Sequence, residues 1–279
     1  MKCRNCKKSQ LKKIVNVGSQ PLSGIFYKSK QKKLKKFPLN LYFCKNCRLV
    51  QLLKTAKKNL MFGKFYEYRT SLSNLMVSHL EKKIKYLKDK KYINNSSSVL
   101  DIGSNDGTFL NSLKCDILCG ADPTAYKFKD HYKKNIYIIN NFFSKKNIEN
   151  FFLKRKPNIN SFDLITSFAM FYDVDDPNSF CKDIFSLLKS NGVWMLELSY
   201  LPLMLKNLTY DQICHEHISY YTLNVFKKIA EKNKLKIVDV GLNEINGGSI
   251  EIVCARVESK IKARHGKIRK LLNDERKIN

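Results

Sequence analysis

From residue 99 onward, short apolar runs alternate with stretches in which apolar side chains recur at helical spacing. The apolar runs cover 99–103, 117–121, 136–139, 163–168 and 193–198. Helical stretches follow most of them, from Gly107, from Thr124, over 145–154 and over 178–189. Strands that alternate with helices form a parallel sheet covered on both faces. The pattern therefore predicts a doubly wound α/β domain, to which the runs 235–241 and 249–257 would add two final strands.

The chain before residue 99 has a different pattern. From residue 60 to about residue 92, apolar side chains such as Leu72, Leu80 and Leu87 recur at helical spacing. Residues 94–98 are asparagines and serines, which are typical of a boundary. We expect four segments: a zinc-binding domain over 1–59, a helical linker over 60–98, the α/β domain over 99–257 and a basic helical tail over 258–279.

The zinc domain is predicted from two cysteine pairs, Cys3-x-x-Cys6 and Cys44-x-x-Cys47. Each pair brings two thiolates to one metal ion from a tight turn, and two such turns complete a tetrahedral zinc site. Four cysteines leave no open coordination position, so the zinc ion should be structural. Disulfides are the alternative and are disfavoured in a reducing compartment. Because the segment between the pairs is rich in lysine, we expect the metal to supply most of its folding energy.

A net charge of +28 raises the question of nucleic-acid binding. The 52 basic residues comprise 44 lysines and 8 arginines, and they are spread along the chain rather than gathered in one arm. This distribution favours A/T-rich codon usage over a binding surface, so nucleic acid is not an expected partner. The positive field would still attract anionic substrates such as sugar nucleotides.

The sequence also bears on the compartment. No apolar run approaches the roughly 18 residues that indicate a membrane span, and the first residues carry lysines and cysteines instead of an apolar signal segment. We therefore expect a cytoplasmic protein without a membrane partner.

Residues 99–107, Val-Leu-Asp-Ile-Gly-Ser-Asn-Asp-Gly, predict a cofactor loop. Gly103 and Gly107 allow a sharp turn and a close approach to a ligand. The loop lacks the three glycines of a dinucleotide site and the Gly-Lys-Ser/Thr of a P-loop, and its Asp101 and Asp106 disfavour phosphate. A positively charged cofactor fits, and S-adenosylmethionine is one. An ordinary strand–turn–helix corner is the alternative.

A second carboxylate supports the cofactor interpretation. Asp122 ends the next apolar run, 21 positions after Asp101. A carboxylate at that strand end is placed to bind ribose hydroxyls.

Residues 214–217, Cys-His-Glu-His, place two imidazoles and a carboxylate side by side. A metalloprotease motif needs its histidines four positions apart, whereas His215 and His217 are two apart. We expect His217 to be a general base, because imidazole titrates near the operating pH. For His215 a structural role and a catalytic role stay open. The polar and aromatic residues 65–71 form a second cluster, with packing under the cofactor lip as the alternative.

Together these motifs resemble the S-adenosylmethionine-dependent sugar C-methyltransferases, the group that methylates C-3 of nucleotide-linked 4-keto-deoxysugars. The resemblance spans nearly the whole chain. Its motifs are the two cysteine pairs, Gln20-Pro21-Leu22, Leu49-Val50-Gln51-Leu52, the tyrosines Tyr66 and Tyr68 with Ser71 and Ser73, the loop 101–107, Tyr210-Asp211-x-x-x-His215-Glu216-His217 and Gly247-Gly248-Ser249.

The resemblance implies a Rossmann-like class I methyltransferase fold behind a zinc domain. It implies that Gly103 and Asp122 bind S-adenosylmethionine, that His217 deprotonates the carbon beside the ketone, and that Glu216 and Tyr68 assist. The chemistry agrees, since a carbon next to a carbonyl becomes nucleophilic only after it loses a proton. The full expected cofactor site comprises Asp101, Gly103, Asn105, Asp106, Gly107 and Asp122.

The sequence departs from the family in three places. Cys214 stands where many relatives have tyrosine, and Phe171-Tyr172-Asp173 stands where many have Asn-Val-x-x-His. The family continues into a further C-terminal domain that helps to hold the sugar nucleotide, and we expect the tail 258–279 to be its beginning.

Two other functions stay open. Methylation of RNA or of a small amine predicts an Asn/Asp-Pro-Pro-Tyr-like motif after the fourth strand, where this chain has Ser-Phe-Ala-Met at 167–170. A non-catalytic zinc module with a degenerate methyltransferase body is the third possibility, and the retained Asp101, Asp122 and His217 speak against it.

Overall fold

The computed structural model describes residues 1–25, 34–63, 65–156 and 158–277. Its strands are β1 (Leu11–Pro21), β2 (Lys36–Cys44), β3 (Val50–Leu52), β4 (Ser98–Ile102), β5 (Ile117–Ala121), β6 (Ile136–Ile139), β7 (Phe162–Phe168), β8 (Leu188–Ser199), β9 (Ser219–Tyr220), β10 (Leu235–Asn243) and β11 (Ser249–Arg256). Its α-helices are α1 (Lys58–Met61), α2 (Asn74–Asp89), α3 (Thr108–Asn111), α4 (Lys145–Leu153), α5 (Pro177–Leu187), α6 (Leu201–Lys206), α7 (Leu223–Lys232) and α8 (His265–Arg276).

Seven strands form one sheet in the order β10-β11-β8-β7-β4-β5-β6. The five strands from β8 to β6 are parallel, while β11 runs antiparallel to both β8 and β10. The doubly wound α/β fold predicted from the alternating pattern is therefore confirmed. Between β5 and β6 the chain forms a 3-10 helix at Ala125–His131 instead of the α-helix expected from Thr124.

Both faces of this sheet are covered by apolar side chains, as a parallel sheet requires. Along β4, Val99 packs on the face that carries Leu80 and Leu87 of α2. Its neighbour Leu100 packs on the opposite face, together with Phe152 of α4 and other residues of α5 and α7. The helices cover the faces of the sheet, so a ligand site can form at the carboxyl ends of the parallel strands. No helix within the described ranges is long and apolar enough to cross a membrane.

A second, antiparallel sheet has the order β1-β2-β3-β9. Its last strand follows the Cys-His-Glu-His segment directly, and Tyr220 pairs there with Val50 of β3. Leu41 and Leu52 form an apolar cluster with Ile218 and Tyr220. The segment around the cysteines thus has a core of its own in addition to the metal site, which its lysine-rich composition did not indicate.

The helix expected to begin at residue 60 begins at Asn74, where the Ser73 hydroxyl accepts a hydrogen bond from the Met76 N–H. The residues just before this helix form hydrogen bonds to the loop that follows β4. Thr70 N–H donates to Asn105 Oδ1 at 2.9 Å, and Ser71 N–H donates to Asp106 Oδ2 at 3.0 Å. These backbone groups bind the cofactor loop, so they are not available for helical hydrogen bonds.

Candidate functional site

The four cysteines predicted to bind zinc come together. Their Sγ atoms all lie within 4.8 Å of one another, with 3.5 Å between Cys3 and Cys47 and 3.6 Å between Cys6 and Cys44. Sulfurs that share one zinc ion at about 2.3 Å lie about 3.8 Å apart, whereas a disulfide needs about 2.05 Å. The donor set therefore fits a tetrahedral zinc site with four thiolate ligands.

The turns that present these cysteines are tight. Lys7 and Arg48, which follow the second cysteine of each pair, have φ angles of 61° and 66°. Their N–H groups donate to the carbonyl oxygens of Cys3 and Cys44. The buried Gln51 donates its side-chain N–H to Cys3 Sγ at 3.1 Å. Since Gln51 lies on β3, the metal site is directly connected to the strand that pairs with β9.

The cofactor loop leaves the end of β4 through two glycines that the backbone requires. Gly103 has φ +74°, and a Cβ there would lie 3.1 Å from the Met170 side chain. Gly107 has φ +76°, and a Cβ there would lie 2.7 Å from the Tyr132 ring. Both positions combine a left-handed backbone with close packing, so glycine is the residue that fits.

Two carboxyl groups lie at the ends of the neighbouring strands β4 and β5. Asp101 accepts a hydrogen bond from Thr166 Oγ1 at 2.7 Å. Asp122 accepts from Asn105 N–H at 3.0 Å and from the N–H and hydroxyl of Thr124 at 2.6 Å. Burial raises the pKa of Asp101 to about 7, and the charge of Asp122 adds to this effect.

Neither of these two buried carboxyl groups has an ion-pair partner among the described residues. The chemistry of the donor set, two carboxyls with no basic side chain against them, fits a cofactor that carries positive charge and hydroxyl groups, as S-adenosylmethionine does.

These residues line a cavity at the carboxyl ends of β4, β5 and β7, where open α/β sheets bind ligands. Of the predicted site residues, it is lined by Tyr68, Asp101, Gly103, Asn105 and Asp122. Asp106 and Gly107 do not line it. The Asp106 carboxylate accepts from Ser71 N–H and, at 2.6 Å, from the Thr108 hydroxyl, so it fastens the segment before α2 to the loop.

The Cys-His-Glu-His segment lies behind this cavity, and none of its four side chains lines it. The His215 Nε2 atom is 3.1 Å from the Phe37 carbonyl oxygen on β2. Glu216 accepts hydrogen bonds from the Ser23 hydroxyl at 2.9 Å and from Gly24 N–H at 3.0 Å. Both side chains therefore hold the segment against the zinc-binding part of the chain.

His217 points in a different direction from its neighbours. Its Nδ1 atom is 3.1 Å from the Gln212 carbonyl oxygen, and its ring lies on Tyr172 with 4.1 Å between the ring centroids. Desolvation lowers the pKa of His217 to about 4, although the Gln212 carbonyl and the Glu216 charge act in the opposite direction. Asp173, the next residue after Tyr172, lines the cavity. The imidazole therefore contacts the residue that precedes a cavity-lining one.

Among the cavity-lining residues that were not predicted, three have titratable side chains: Lys58, Tyr66 and Asp173. No motif distinguishes Lys58, whereas Tyr66 belongs to the motif that it shares with Tyr68, in which only Tyr68 was given a role. Asp173 had a signal, because it follows the end of β7, and the ends of neighbouring parallel strands carry the ligand groups in this architecture.

Comparison with known proteins agrees with this arrangement. A zinc binding domain family matches residues 3–62, and a methyltransferase domain family matches residues 72–240. The C-methyltransferase NovU of Streptomyces niveus is 25% identical over 257 residues, which are 91% of this chain and 60% of that protein. The chain thus spans three-fifths of the length of this curated relative.

Solved structures that match part of the chain include a Bacillus halodurans protein assigned as a methyltransferase, with a TM-score of 0.49 and 11% identity over 65% of this chain and 100% of that one. Another is the magnesium protoporphyrin IX methyltransferase of Synechocystis with bound S-adenosylhomocysteine, with a TM-score of 0.46 and 13% identity over 64% of this chain and 83% of that one.

The cofactors expected from the sequence, S-adenosylmethionine and a structural zinc ion, are confirmed by the two family matches together with the four-cysteine cluster. The methyltransferase match covers more than half of the chain. The chain therefore belongs to the methyltransferase family and carries a zinc-binding domain ahead of its methyltransferase domain.

Proposed function

We propose that this protein methylates the carbon next to the ketone of a nucleotide-linked 4-keto-deoxysugar, with His217 as the general base. The observation that carries the proposal is the hydrogen bond between His217 Nδ1 and the Gln212 carbonyl oxygen. The similarity to a C-methyltransferase supports the reaction type, and the sequence motifs support the substrate class.

The hydrogen bond assigns the tautomer. A carbonyl oxygen only accepts, so Nδ1 must carry a proton and Nε2 keeps its lone pair. With a pKa lowered to about 4, the ring is neutral at physiological pH. His217 is therefore ready to take a proton from carbon. Its low pKa limits its strength as a base, and the neighbouring Glu216 carboxylate stabilises the imidazolium as it forms.

When bound, S-adenosylmethionine supplies an electrophilic methyl group on its sulfonium sulfur. In this chain Asp101 and Asp122 would provide acceptor oxygens for it at the strand ends, and Gly103 and Asn105 line the same cavity. Asp106 and Gly107 fix the loop in that shape.

The remaining two predicted catalytic residues have distinct roles in this proposal. Tyr68 presents its hydroxyl at the cavity and orients the substrate ketone. Glu216 does not line the cavity. Its carboxylate accepts hydrogen bonds from Ser23 and Gly24, and its charge favours the protonated form of His217.

The proposed substrate is anionic, and the net charge of +28 favours its approach. We place the protein in the cytoplasm, because the four clustered cysteines are arranged to hold zinc as thiolates, and thiols persist in a reducing compartment.

The proposal is tested by following exchange of the substrate's α-proton with solvent deuterium in the presence of S-adenosylhomocysteine, with a nucleotide-linked 4-keto-deoxysugar as substrate. His217→Asn should slow exchange by about 10²–10⁴-fold and leave S-adenosylmethionine affinity unchanged. The matched control is His215→Asn, which alters a buried imidazole two positions away that binds Phe37.

Exchange by His217→Asn at the parent rate would exclude His217 as the base. Transfer of labelled methyl groups to RNA, with none to the sugar nucleotide, would instead establish the RNA alternative.

A further inference from the structure

Asp173 lines the cofactor cavity, and one of its carboxyl oxygens has no hydrogen-bond partner among the described residues. Its Oδ1 atom is buried, and no hydrogen-bond donor or acceptor meets it among the residues that the structure describes. A buried polar atom without a partner destabilises the fold, so such atoms call for an explanation. Since Asp173 also lines the ligand cavity, a group of the ligand is a candidate partner for its carboxyl group.

The groups around Asp173 determine its charge. Lys58 lines the same cavity, but its ammonium group pairs with Asp175 at 2.9 Å. Burial and the nearby Glu216 raise the pKa of Asp173 well above its ordinary value, and Lys58 offsets this only in part. The titratable groups that act on it or feel its charge are Lys58, Tyr66, Tyr172, Cys214, Glu216 and Tyr220. These surroundings favour the protonated form of Asp173, in which the carboxyl group is an O–H donor.

The backbone places this donor beside the proposed base. The Tyr172 ring packs against the His217 ring, and the Tyr172 carbonyl oxygen accepts a hydrogen bond from Ile218 N–H at 3.0 Å. The next residue is Asp173. Two adjacent residues of one 3-10 turn thus have different neighbours. Tyr172 packs against the proposed base, and Asp173 lines the cavity.

We propose that Asp173 donates a hydrogen bond to the substrate ketone oxygen, and so stabilises the enolate that forms when His217 removes the neighbouring proton. This role rests on the proposed function and adds a catalytic residue to it. In the proposed function Tyr68 orients this ketone. Tyr68 is 47% exposed, whereas the Asp173 oxygen is shielded from water, where a donor to a developing oxyanion is worth more.

The proposed step begins when the proton leaves carbon for His217 Nε2. The C–H pair becomes the carbon–carbon double bond, and the carbonyl π pair moves to the oxygen. That oxygen accepts the Asp173 O–H, which stays on the carboxyl group. The enolate carbon then forms a bond to the methyl group, the methyl–sulfur bond breaks with its pair on sulfur, and the ketone returns. His217 finally releases its proton to solvent.

The first test compares Asp173→Ala with Asp173→Asn in the α-proton exchange assay. We expect Ala to slow exchange by about 10²–10³-fold, the usual effect of removing one oxyanion donor, and Asn to stay within about tenfold of the parent because its amide N–H still donates. S-adenosylmethionine affinity should change less than twofold in both. Asp130→Ala, at an exposed carboxylate, is the control.

The pH profile separates catalysis from a structural role. Parent activity should fall at high pH as Asp173 loses its proton, and this alkaline limb should be absent in Asp173→Asn, whose amide does not titrate. Parent-rate exchange by Asp173→Ala would overturn the proposal, and so would equal losses in the Ala and Asn variants.

An infrared measurement tests the protonated state without substrate. The carbonyl stretch of a protonated carboxyl group should be present in the parent at pH 7 and should lose intensity in Asp173→Asn but not in Asp130→Asn. An unchanged band would overturn the proposal, whatever the substrate. If the parent does not exchange the α-proton at all, the proposed function fails, which is a different result from a parent that exchanges and an Asp173→Ala variant that exchanges equally well.

Discussion

The rings of Tyr172 and His217 lie with their centroids 4.1 Å apart and their planes inclined by 51°. Tyr172 is buried, at 5% exposure, so its ring keeps water away from one face of the imidazole. This contact joins the wall of the cofactor cavity to the segment that is anchored on the zinc-binding sheet. It also contributes to the desolvation that lowers the pKa of His217.

The lowered pKa predicts an unusual pH dependence. An ordinary histidine base loses activity below about pH 6.5 as it becomes protonated. Because the pKa of His217 is lowered to about 4, α-proton exchange should persist down to about pH 5 and fall only near pH 4. The rate should be measured as kcat/KM from about pH 3.5 to about pH 8, with circular dichroism at each pH to show that the fold is intact. An acid limb centred near 6.5 would assign the base to another group or another environment.

The zinc site yields a second prediction. Cys44→Ser replaces a thiolate by a hydroxyl, which is a poor ligand for this metal, so the variant should contain much less than one zinc per chain and unfold at a lower temperature. Elemental analysis and thermal unfolding measure the two effects. Cys115→Ser is the control, since its half-buried thiol lies outside the cluster. A Cys44→Ser protein with full metal content and the parent Tm would contradict the assignment.

The third prediction concerns cofactor affinity. Asp122→Ala removes a cavity-lining carboxylate and also the acceptor for Asn105 and Thr124. Hydrogen bonds to charged groups are worth about 1.5–3 kcal/mol, so calorimetry should show S-adenosylmethionine binding weakened by about 10–150-fold. Asp116→Ala, just before the other end of β5, should bind like the parent. Equal affinity in Asp122→Ala and the parent would remove this carboxylate from the site.

The sequence was sufficient for the features that depend on neighbouring residues. The strand that ends at Ile102, the glycines of the following turn and the carboxylate after β5 all lie where local pattern and backbone geometry require them. The cysteine pairs are of the same kind, because the spacing within each pair sets its turn.

Features that depend on distant residues were harder to predict. The linker helix starts at Asn74 rather than residue 60 because Thr70 and Ser71 bind a loop 35 positions away. Spacing within 214–217 could not show that Glu216 binds Ser23, 193 positions earlier. Asp173 was noticed only as a departure from a family pattern, and its buried, unpartnered oxygen is visible only in three dimensions.

A further long-range feature is a buried charged cluster between α2 and the ends of β8 and β11. Glu197 accepts hydrogen bonds from His79 Nε2 at 2.8 Å and from Asn243 at 2.8 Å, and it lies 3.2 Å from the Lys83 ammonium group. Lys83 also pairs with Glu251. His79 lies in the segment whose apolar spacing predicted a helix, and its polar partner Glu197 lies on β8, 118 positions later.

This cluster gives the last prediction. Burial alone would raise the pKa of Glu197, but the hydrogen bond from His79 and the charge of Lys83 together lower it below 4.5. The ionised carboxylate therefore stabilises the fold above that pH, and this contribution is lost as the pH falls through the lowered pKa. Glu197→Gln removes the charge and leaves the buried Lys83 ammonium group less well compensated, which costs about 3–5 kcal/mol when one partner of a buried pair is lost. Urea unfolding at pH 7 should show that the free energy of unfolding falls by this amount, and the difference from the parent should shrink at pH 3.

The control is Glu231→Gln, which breaks an exposed pair with Lys227 and should cost at most about 0.5 kcal/mol. If both variants lost equally little stability at pH 7, the buried cluster would not stabilise the fold.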